Sequence, residues 1–174
     1  GCITFVESII KARQKGIDVH AIIIGVGSEK EKLIKKINMF SMKNYFTILG
    51  EVNHKEIFEY HKLSDLYISL NHYGNLSNTN LEAIKFEQVA ILPKNLKSET
   101  DREDIKLLGE TGVLWIKDPN DIKGIIDHIE TISSDKTILE KYIKNVKTKA
   151  ELIPSWKDRI KKEVDILQGL VRNF

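Results

Sequence analysis

Short apolar runs of strand length alternate with amphipathic helical segments along most of the chain. Nearly continuous runs rich in Val and Ile are typical of strands in a parallel sheet, because both faces of such strands are buried. Helices then connect the strands as right-handed crossovers. The alternation therefore predicts an α/β fold with a doubly wound parallel sheet. The predicted strands are Asp18–Gly25, Tyr45–Gly50, Leu66–Leu70, Val89–Leu92 and Gly112–Ile116.

Helical periodicity fills the segments between these strands, and after Ser133 it is the only pattern, which predicts additional C-terminal helices. A doubly wound domain ordinarily opens on a strand, whereas this chain opens on a helix. We therefore expect residues 1–174 to be one truncated domain. The predicted helices are Thr4–Lys15, Asn78–Phe86, Lys136–Ala150 and Ser155–Leu170, and three others are expected to start at Ser28, Asn53 and Asp118, where capping residues stand, with Pro119 in the first helical position of the last.

Charge and cysteine content exclude several classes of protein. The net charge of +2 comes from 27 basic and 25 acidic residues scattered along the chain, which argues against a nucleic-acid partner. The lysine-rich stretches Lys141–Lys149 and Lys157–Lys162 fit solvated helix faces, or else a contact with a membrane surface or partner. The single cysteine, Cys2, excludes an internal disulfide and a cysteine-based zinc site. We expect a cytoplasmic protein, with peripheral association at the inner face of the membrane as an alternative.

A glycine pair follows the first predicted strand, at the sheet edge where ligands of parallel sheets bind. Gly25 and Gly27 resemble part of a dinucleotide-binding fingerprint, but Lys30 stands where the third glycine would be. A tight turn closed by Ser28 explains the pair equally well. The missing glycine argues against an NAD or FAD oxidoreductase, and the absence of a Walker A motif from the sequence excludes a P-loop hydrolase.

A longer polar loop, Asn71–Asn80, leads into a helix that carries Glu82. Backbone N–H groups at Ser77–Asn80 would lie at the helix start, where free donors and the helix dipole favour a phosphate. Glu82, which we expect in the first turn of that helix, would accept hydrogen bonds from ribose hydroxyls beside the phosphate. Alternatively, Ser77 or Asn78 caps the helix and Glu82 only complements its dipole. The spacing alone leaves both interpretations open.

Four blocks in register resemble the C-terminal domain of family 4 retaining glycosyltransferases. They are "AIIIGVGSEKEK" at Ala21–Lys32, the stretch Thr47–Ala83, "LLGETGVLWIKDPND" at Leu107–Asp121 and "PSWKDRI" at Pro154–Ile160. The resemblance runs from about Phe5 to Leu170. It implies a GT-B fold, in which two Rossmann-like domains face a cleft and this one binds the donor.

The resemblance also implies an activity. Such an enzyme transfers a hexose from a UDP-, GDP- or ADP-sugar to a glycan or lipid-linked acceptor, with retained anomeric configuration and without a metal or other cofactor. The N-terminal acceptor domain of the same protein would be a partner absent from this chain, so the chain would be inactive alone. The alternative is a catalytically degenerate binding or scaffold module.

The resemblance assigns donor-binding positions. Glu82 matches the second acid of the family's Glu-x7-Glu motif, which binds the donor ribose. Gly50 and Val52 match a turn that contacts the nucleobase, and the loop before the motif helix approaches the diphosphate and sugar. The full predicted donor-binding set is Gly25, Gly27, Gly50, Val52, Gly74, Asn75, Leu76, Ser77, Asn78, Thr79 and Glu82.

The sequence departs from the family pattern in three places. Gly74 stands where the first acid of the motif would be, which favours the degenerate alternative. The segment Lys85–Ala90 replaces a small, glycine-containing one and is expected to place bulk and charge near the binding edge. The family's arginine and lysine that neutralise the diphosphate are expected upstream of Gly1.

Three further polar residues attract a catalytic interpretation. His54 follows a helix cap and is expected to face solvent, and Asp65 is expected to be a turn residue. His72 lies in the polar loop, where it could touch the donor. The resemblance places the remaining catalytic groups in the other domain, so no catalytic residue is assigned.

Overall fold

The computed structural model describes residues 1–72, 77–94, 105–109 and 111–171. Five strands and seven helices of more than one turn alternate in these ranges, largely as predicted. The strands are β1 (Ala21–Ile23), β2 (Phe46–Ile48), β3 (Leu66–Ile68), β4 (Val89–Pro93) and β5 (Val113–Ile116). The helices are α1 (Cys2–Gln14), α2 (Lys30–Met39), α3 (His54–Leu63), α4 (Asn78–Lys85), α5 (Ile122–Ser134), α6 (Lys136–Leu152) and α7 (Trp156–Val171).

All strand pairs are parallel, which confirms the predicted fold class. In one sheet β1 pairs with β2, and in the other β4 lies between β3 and β5. Ile91 of β4 is in register with Ile68 on one side and Leu114 on the other. Within the described ranges no ladder joins β1 to β3, so the strands form two sheets where we predicted one.

One apolar core nevertheless includes residues of both sheets. Strand β4 is buried along its whole length, as its uninterrupted apolar sequence predicts. Helices α4 and α6 pack against β4 and against each other, whereas α1 packs against α2 and α5. The carboxyl ends of the strands, and the helix starts that follow them, therefore rest on a rigid interior. None of the helices in the described ranges is long and apolar enough to cross a membrane.

Two of the predicted helix starts are wrong. Helix α2 begins at Lys30 with Glu29 before it, and Ser28 makes no side-chain cap; a backbone turn closes here instead, with Lys30 N–H donating to Gly27 O at 3.2 Å. Helix α5 begins at Ile122, beyond Asp118 and Pro119. The carboxylate of Asp118 accepts from the Asn120 N–H at 2.8 Å and so forms an Asx turn. The N-cap of α5 is therefore Asp121.

The capping residue is Asp121, and its carboxylate lies so close to Gly124 that a larger side chain there would clash with it. Asp121 Oδ1 accepts from the Gly124 N–H at 2.9 Å, and a Cβ at Gly124 would lie 2.5 Å from Asp121 Oδ2. Gly124→Ala should therefore displace the cap and cost about 1 kcal/mol of stability, measured by urea denaturation. Gly169→Ala is the matched control, since Gly169 is also helical with no atom within 4 Å of its Cβ position. That control should be neutral or slightly stabilising, and equal effects at both glycines would contradict the steric account.

Candidate functional site

The two glycine-containing loops meet at the carboxyl ends of β1 and β2. The Gly25 N–H donates to Gly50 O at 3.0 Å, just beyond the last paired residues of the two strands. Gly25 has a φ of +125°, a conformation that L side chains rarely adopt, so glycine is required there. A Cβ at Gly25, Gly27 or Gly50 would have no atom within 4 Å, so the three glycines border open space. Val52 is partly buried in the same turn.

Helix α4 starts where the sequence predicts. Ser77 is the N-cap, and its hydroxyl accepts from the Asn80 N–H at 3.3 Å. Asn78 and Thr79, the first two helical residues, are exposed. Their N–H groups belong to the first turn, which has no intrahelical acceptors. This end of α4 therefore offers the donors and the positive end of the dipole that a phosphate requires. The predicted residues Gly74, Asn75 and Leu76 lie outside the described ranges.

Glu82 is the fifth residue of α4, so the prediction that it lies in the first turn is wrong. Its side chain is 27% exposed, and its Oε1 lies 3.9 Å from Nε2 of His54. The helix dipole acts mainly on charges in the first turn, so its complementation explains Glu82 poorly. A carboxylate one turn beyond the cap, still reached by solvent, is instead free to accept hydrogen bonds from a ligand bound at the helix start.

A hydrogen bond between Tyr67 and Asn80 joins β3 to the start of α4. Asn80 is fully buried, and its Oδ1 accepts from the Tyr67 hydroxyl of β3 at 2.9 Å. Burial raises the pKa of Tyr67, a hydrogen bond with Ser69 lowers it, and the negative charge of Glu82 raises it. Tyr67 therefore stays protonated and donates to Asn80.

His54 connects the two parts of the site. Asn53 caps α3 by accepting from the Lys55 N–H at 3.1 Å, as predicted, and His54 is the first residue of the helix. Its side chain is 80% exposed, which agrees with the expected solvent-facing position. Sequence reasoning missed its contact with Glu82, because the two residues belong to different helices. The short loop from Gly50 to Asn53 leads from the glycine turn to His54, and His54 contacts Glu82.

The other two polar candidates are less informative. Asp65 is exposed in the turn before β3, as expected. His72 is exposed in the polar loop, and its contact with a donor stays a prediction. No group of three or more His, Cys, Asp or Glu side chains suited to hold a metal is found in the described part of the chain.

The expected crowding of the site by Lys85–Ala90 is wrong. An eight-residue helix is about 12 Å long, so the end of α4 lies far from its capped start. Lys85 Nζ donates to the Ala150 and Ile153 carbonyls at 3.0 and 3.2 Å, at the end of α6. Gln88 is buried and donates to the Ser64 carbonyl at 3.1 Å, just beyond α3. The segment therefore caps helix ends and leaves the start of α4 clear.

Because it caps α6, Lys85 should stabilise the fold without affecting ligand binding. We expect Lys85→Met to lower the free energy of unfolding by about 1–2 kcal/mol, since two carbonyls at a helix C-terminus lose a cationic donor. Urea denaturation measures this loss. Lys144→Met is the control, because Lys144 is an exposed residue of α6, the helix that Lys85 caps. A loss of nucleotide affinity in Lys85→Met at unchanged stability would contradict this assignment.

Two surface depressions lie away from these residues. One, of about 300 Å³, is bordered by Lys94, Trp115 and His128 along β5. The other, of about 530 Å³, lies between α1 and the start of α5, with Lys11, Lys15 and Lys123 on its rim. Neither includes Glu82 or a predicted donor-binding residue.

Comparison with solved structures supports the fold. Sucrose-phosphate synthase from Thermosynechococcus elongatus superimposes with a TM-score of 0.80 at 14% sequence identity, over 97% of this chain and 43% of that one. The pneumococcal O-GlcNAc transferase GtfA, in complex with UDP and GlcNAc, gives a TM-score of 0.71 at 16% identity, over 95% of this chain and 33% of that one. The architecture is thus the Rossmann-like α/β fold of GT-B glycosyltransferases.

Sequence comparison gives the family. A curated relative, the 2-deoxystreptamine N-acetyl-D-glucosaminyltransferase of Niallia circulans, is 28% identical over 140 residues, which are 80% of this chain and 34% of the relative. This chain therefore spans about a third of that protein's length. The family model described as Glycosyl transferases group 1 matches residues 3–149. The resemblance seen in the four sequence blocks is confirmed, and the chain belongs to the group 1 glycosyl transferases.

Proposed function

We propose that this chain is the donor-binding, C-terminal half of a GT-B glycosyltransferase and binds a nucleotide-diphosphate sugar at the start of α4. The observation that carries the proposal is the partly exposed Glu82 carboxylate one turn beyond the capped helix start. The N–H groups of Asn78 and Thr79 take the diphosphate, and Glu82 accepts from the ribose hydroxyls. Gly25 and Gly50, which border open space, leave room for the nucleobase near Val52.

The donor we favour carries UDP. Two similar proteins support it, since one is an N-acetylglucosaminyltransferase and the other was solved with UDP and GlcNAc. The sugar transferred is a hexose or an N-acetylhexosamine, and the acceptor a glycan or lipid-linked saccharide. Retention of configuration and independence from a metal rest on the family resemblance.

A second domain completes the enzyme in this proposal. The chain spans 34% and 43% of the lengths of two proteins it resembles. Helix α7 also leaves an apolar stripe in solvent, with Ile160, Val164 and Leu167 between 43% and 62% exposed. We infer that the acceptor-binding domain closes the cleft above the open donor site and supplies the cations that neutralise the diphosphate.

Calorimetric titration of the complete natural protein with UDP, GDP and ADP tests donor binding. We expect at least one of the three to bind with a dissociation constant below 1 mM, roughly a 4 kcal/mol interaction. Incubation with the corresponding sugar nucleotides and a saccharide acceptor, read by NMR of the new anomeric proton, then tests transfer and its stereochemistry. No binding of any of the three would reject the proposal.

The degenerate binding module is the second candidate, and Gly74 favours it because the family has an acid there. Under this alternative the complete protein binds the nucleotide but does not turn over the donor, and Gly74→Glu restores turnover. Transfer by the natural sequence would exclude it.

A further inference from the structure

His54 and Glu82 approach each other beside the candidate donor site. His54 is the first residue of α3 and Glu82 lies one turn into α4, with His54 Nε2 3.9 Å from Glu82 Oε1. This separation is too long for a hydrogen bond but within the range of an electrostatic contact. The contact thus joins the loop beside the glycine turn to the carboxylate assigned to the ribose.

We propose that His54 is a positioning residue of the donor site, which holds Glu82 through Oε1 so that Oε2 is presented to the ribose hydroxyls. The inference rests on the function proposed above and adds a residue to it. An ionised carboxylate has two oxygens with about four acceptor positions. Engagement of one oxygen by His54 therefore leaves capacity for a ribose diol, while restricting the rotation of the Glu82 side chain.

The exposure of the pair separates this role from a structural one. His54 is 80% exposed and Glu82 27%, and electrostatic contacts between exposed side chains contribute little to folding. The Asn53 side chain, rather than that of His54, caps α3. Removing the imidazole should therefore leave the fold intact. What it removes is the partner that restricts Glu82 before the ligand arrives, and such preorganisation acts on affinity.

Ribose-dependent binding provides the test. The complete protein is titrated with whichever of UDP, GDP and ADP binds most tightly, and with the 2′,3′-dideoxy form of the same nucleotide, which has no ribose diol. We expect His54→Ala to weaken binding of the ribonucleotide about 3- to 5-fold, because contacts between exposed side chains contribute only modestly. Binding of the dideoxy form should not change. His54→Arg, which presents a cationic side chain to Glu82, should recover most of the affinity.

Two controls complete the design. His20→Ala removes an exposed histidine whose Nε2 lies 2.8 Å from the Thr47 hydroxyl, at the start of β1 and β2, and should not change either affinity. In a Glu82→Gln background, His54→Ala should have no further effect, because the carboxylate that it positions is gone. Thermal unfolding of each variant checks that the fold is kept.

The outcomes distinguish this inference from the proposed function. If Glu82→Gln weakens the ribonucleotide but His54→Ala does not, His54 does not position Glu82 and the donor site stands. Equal losses for the ribonucleotide and its dideoxy form in His54→Ala would also overturn the inference. If Glu82→Gln leaves the affinity unchanged, or no nucleotide binds the natural protein, the donor site itself is wrong and the inference falls with it.

Discussion

Replacement of Glu82 by Ala should weaken nucleotide binding roughly 10- to 150-fold, with little loss of stability. Hydrogen bonds to a charged group contribute about 1.5–3 kcal/mol when the partner is otherwise lost, and 1.4 kcal/mol corresponds to a factor of ten. The side chain is partly exposed in the absence of ligand, so its removal leaves no cavity in the core. Calorimetric titration of the complete protein measures the affinity, and urea denaturation measures the stability.

The same substitution elsewhere provides the control for Glu82. Glu59 on α3 is exposed and pairs with Lys62 at 3.6 Å, and Glu59→Ala should change neither affinity nor stability appreciably. A large loss of stability in Glu82→Ala with unchanged affinity would instead support a structural role in α4. That result would favour the alternative in which Glu82 only complements the dipole of α4.

Replacement of Asn80 by Ala should lower the free energy of unfolding by about 1–3 kcal/mol. Asn80 is fully buried, and without it the half-buried Tyr67 hydroxyl loses the acceptor 2.9 Å away and keeps only its hydrogen bond with Ser69. An unsatisfied buried polar group costs that much because it has given up water without gaining a partner. Urea denaturation measures the change. Since Asn80 lies in the first turn of α4, nucleotide affinity should fall as well.

Removal of both partners tests this explanation. Tyr67→Phe removes the hydroxyl without changing the ring, so the variant Tyr67→Phe with Asn80→Leu leaves neither polar group of the pair. The free energy of unfolding of this double variant should be closer to that of the natural protein than the free energy of unfolding of Asn80→Ala is. The reason is that no hydroxyl is left without its acceptor. If the double variant loses as much stability as Tyr67→Phe and Asn80→Leu lose separately when added together, the pair is not the source of the loss.

The fold was predictable because its signals are local. The apolar runs that end at Ile24, Leu49 and Leu92 are short and separated by helical periodicity, which permits few topologies. Asn53 caps α3 as predicted, and of the two residues that the sequence leaves open for α4, Ser77 rather than Asn78 is the cap. At Ser28 and Asp118 a backbone turn and an Asx turn formed instead, and sequence alone does not show which of two local hydrogen-bond patterns prevails.

The candidate site was predictable only in part. Spacing after the polar loop and the family resemblance predict Glu82 as a ligand of the ribose, and this role stays a prediction. Its contact with His54 depends on how α3 and α4 converge at the sheet edge, which no local pattern encodes. The buried pair of Tyr67 and Asn80 was missed for the same reason. The family resemblance predicts Lys85–Ala90 near the binding edge, because this segment replaces a small, glycine-containing one there. The structure instead places it at the end of α4 opposite Ser77, where Lys85 contacts the end of α6.

A crystal structure of the complete protein with the nucleoside diphosphate that binds it would test the donor site most directly. The account predicts the diphosphate within hydrogen-bonding distance of the backbone N–H groups of Asn78 and Thr79, and the ribose hydroxyls against Glu82. Density for the nucleotide at another surface, or a ribose out of reach of Glu82, would contradict it.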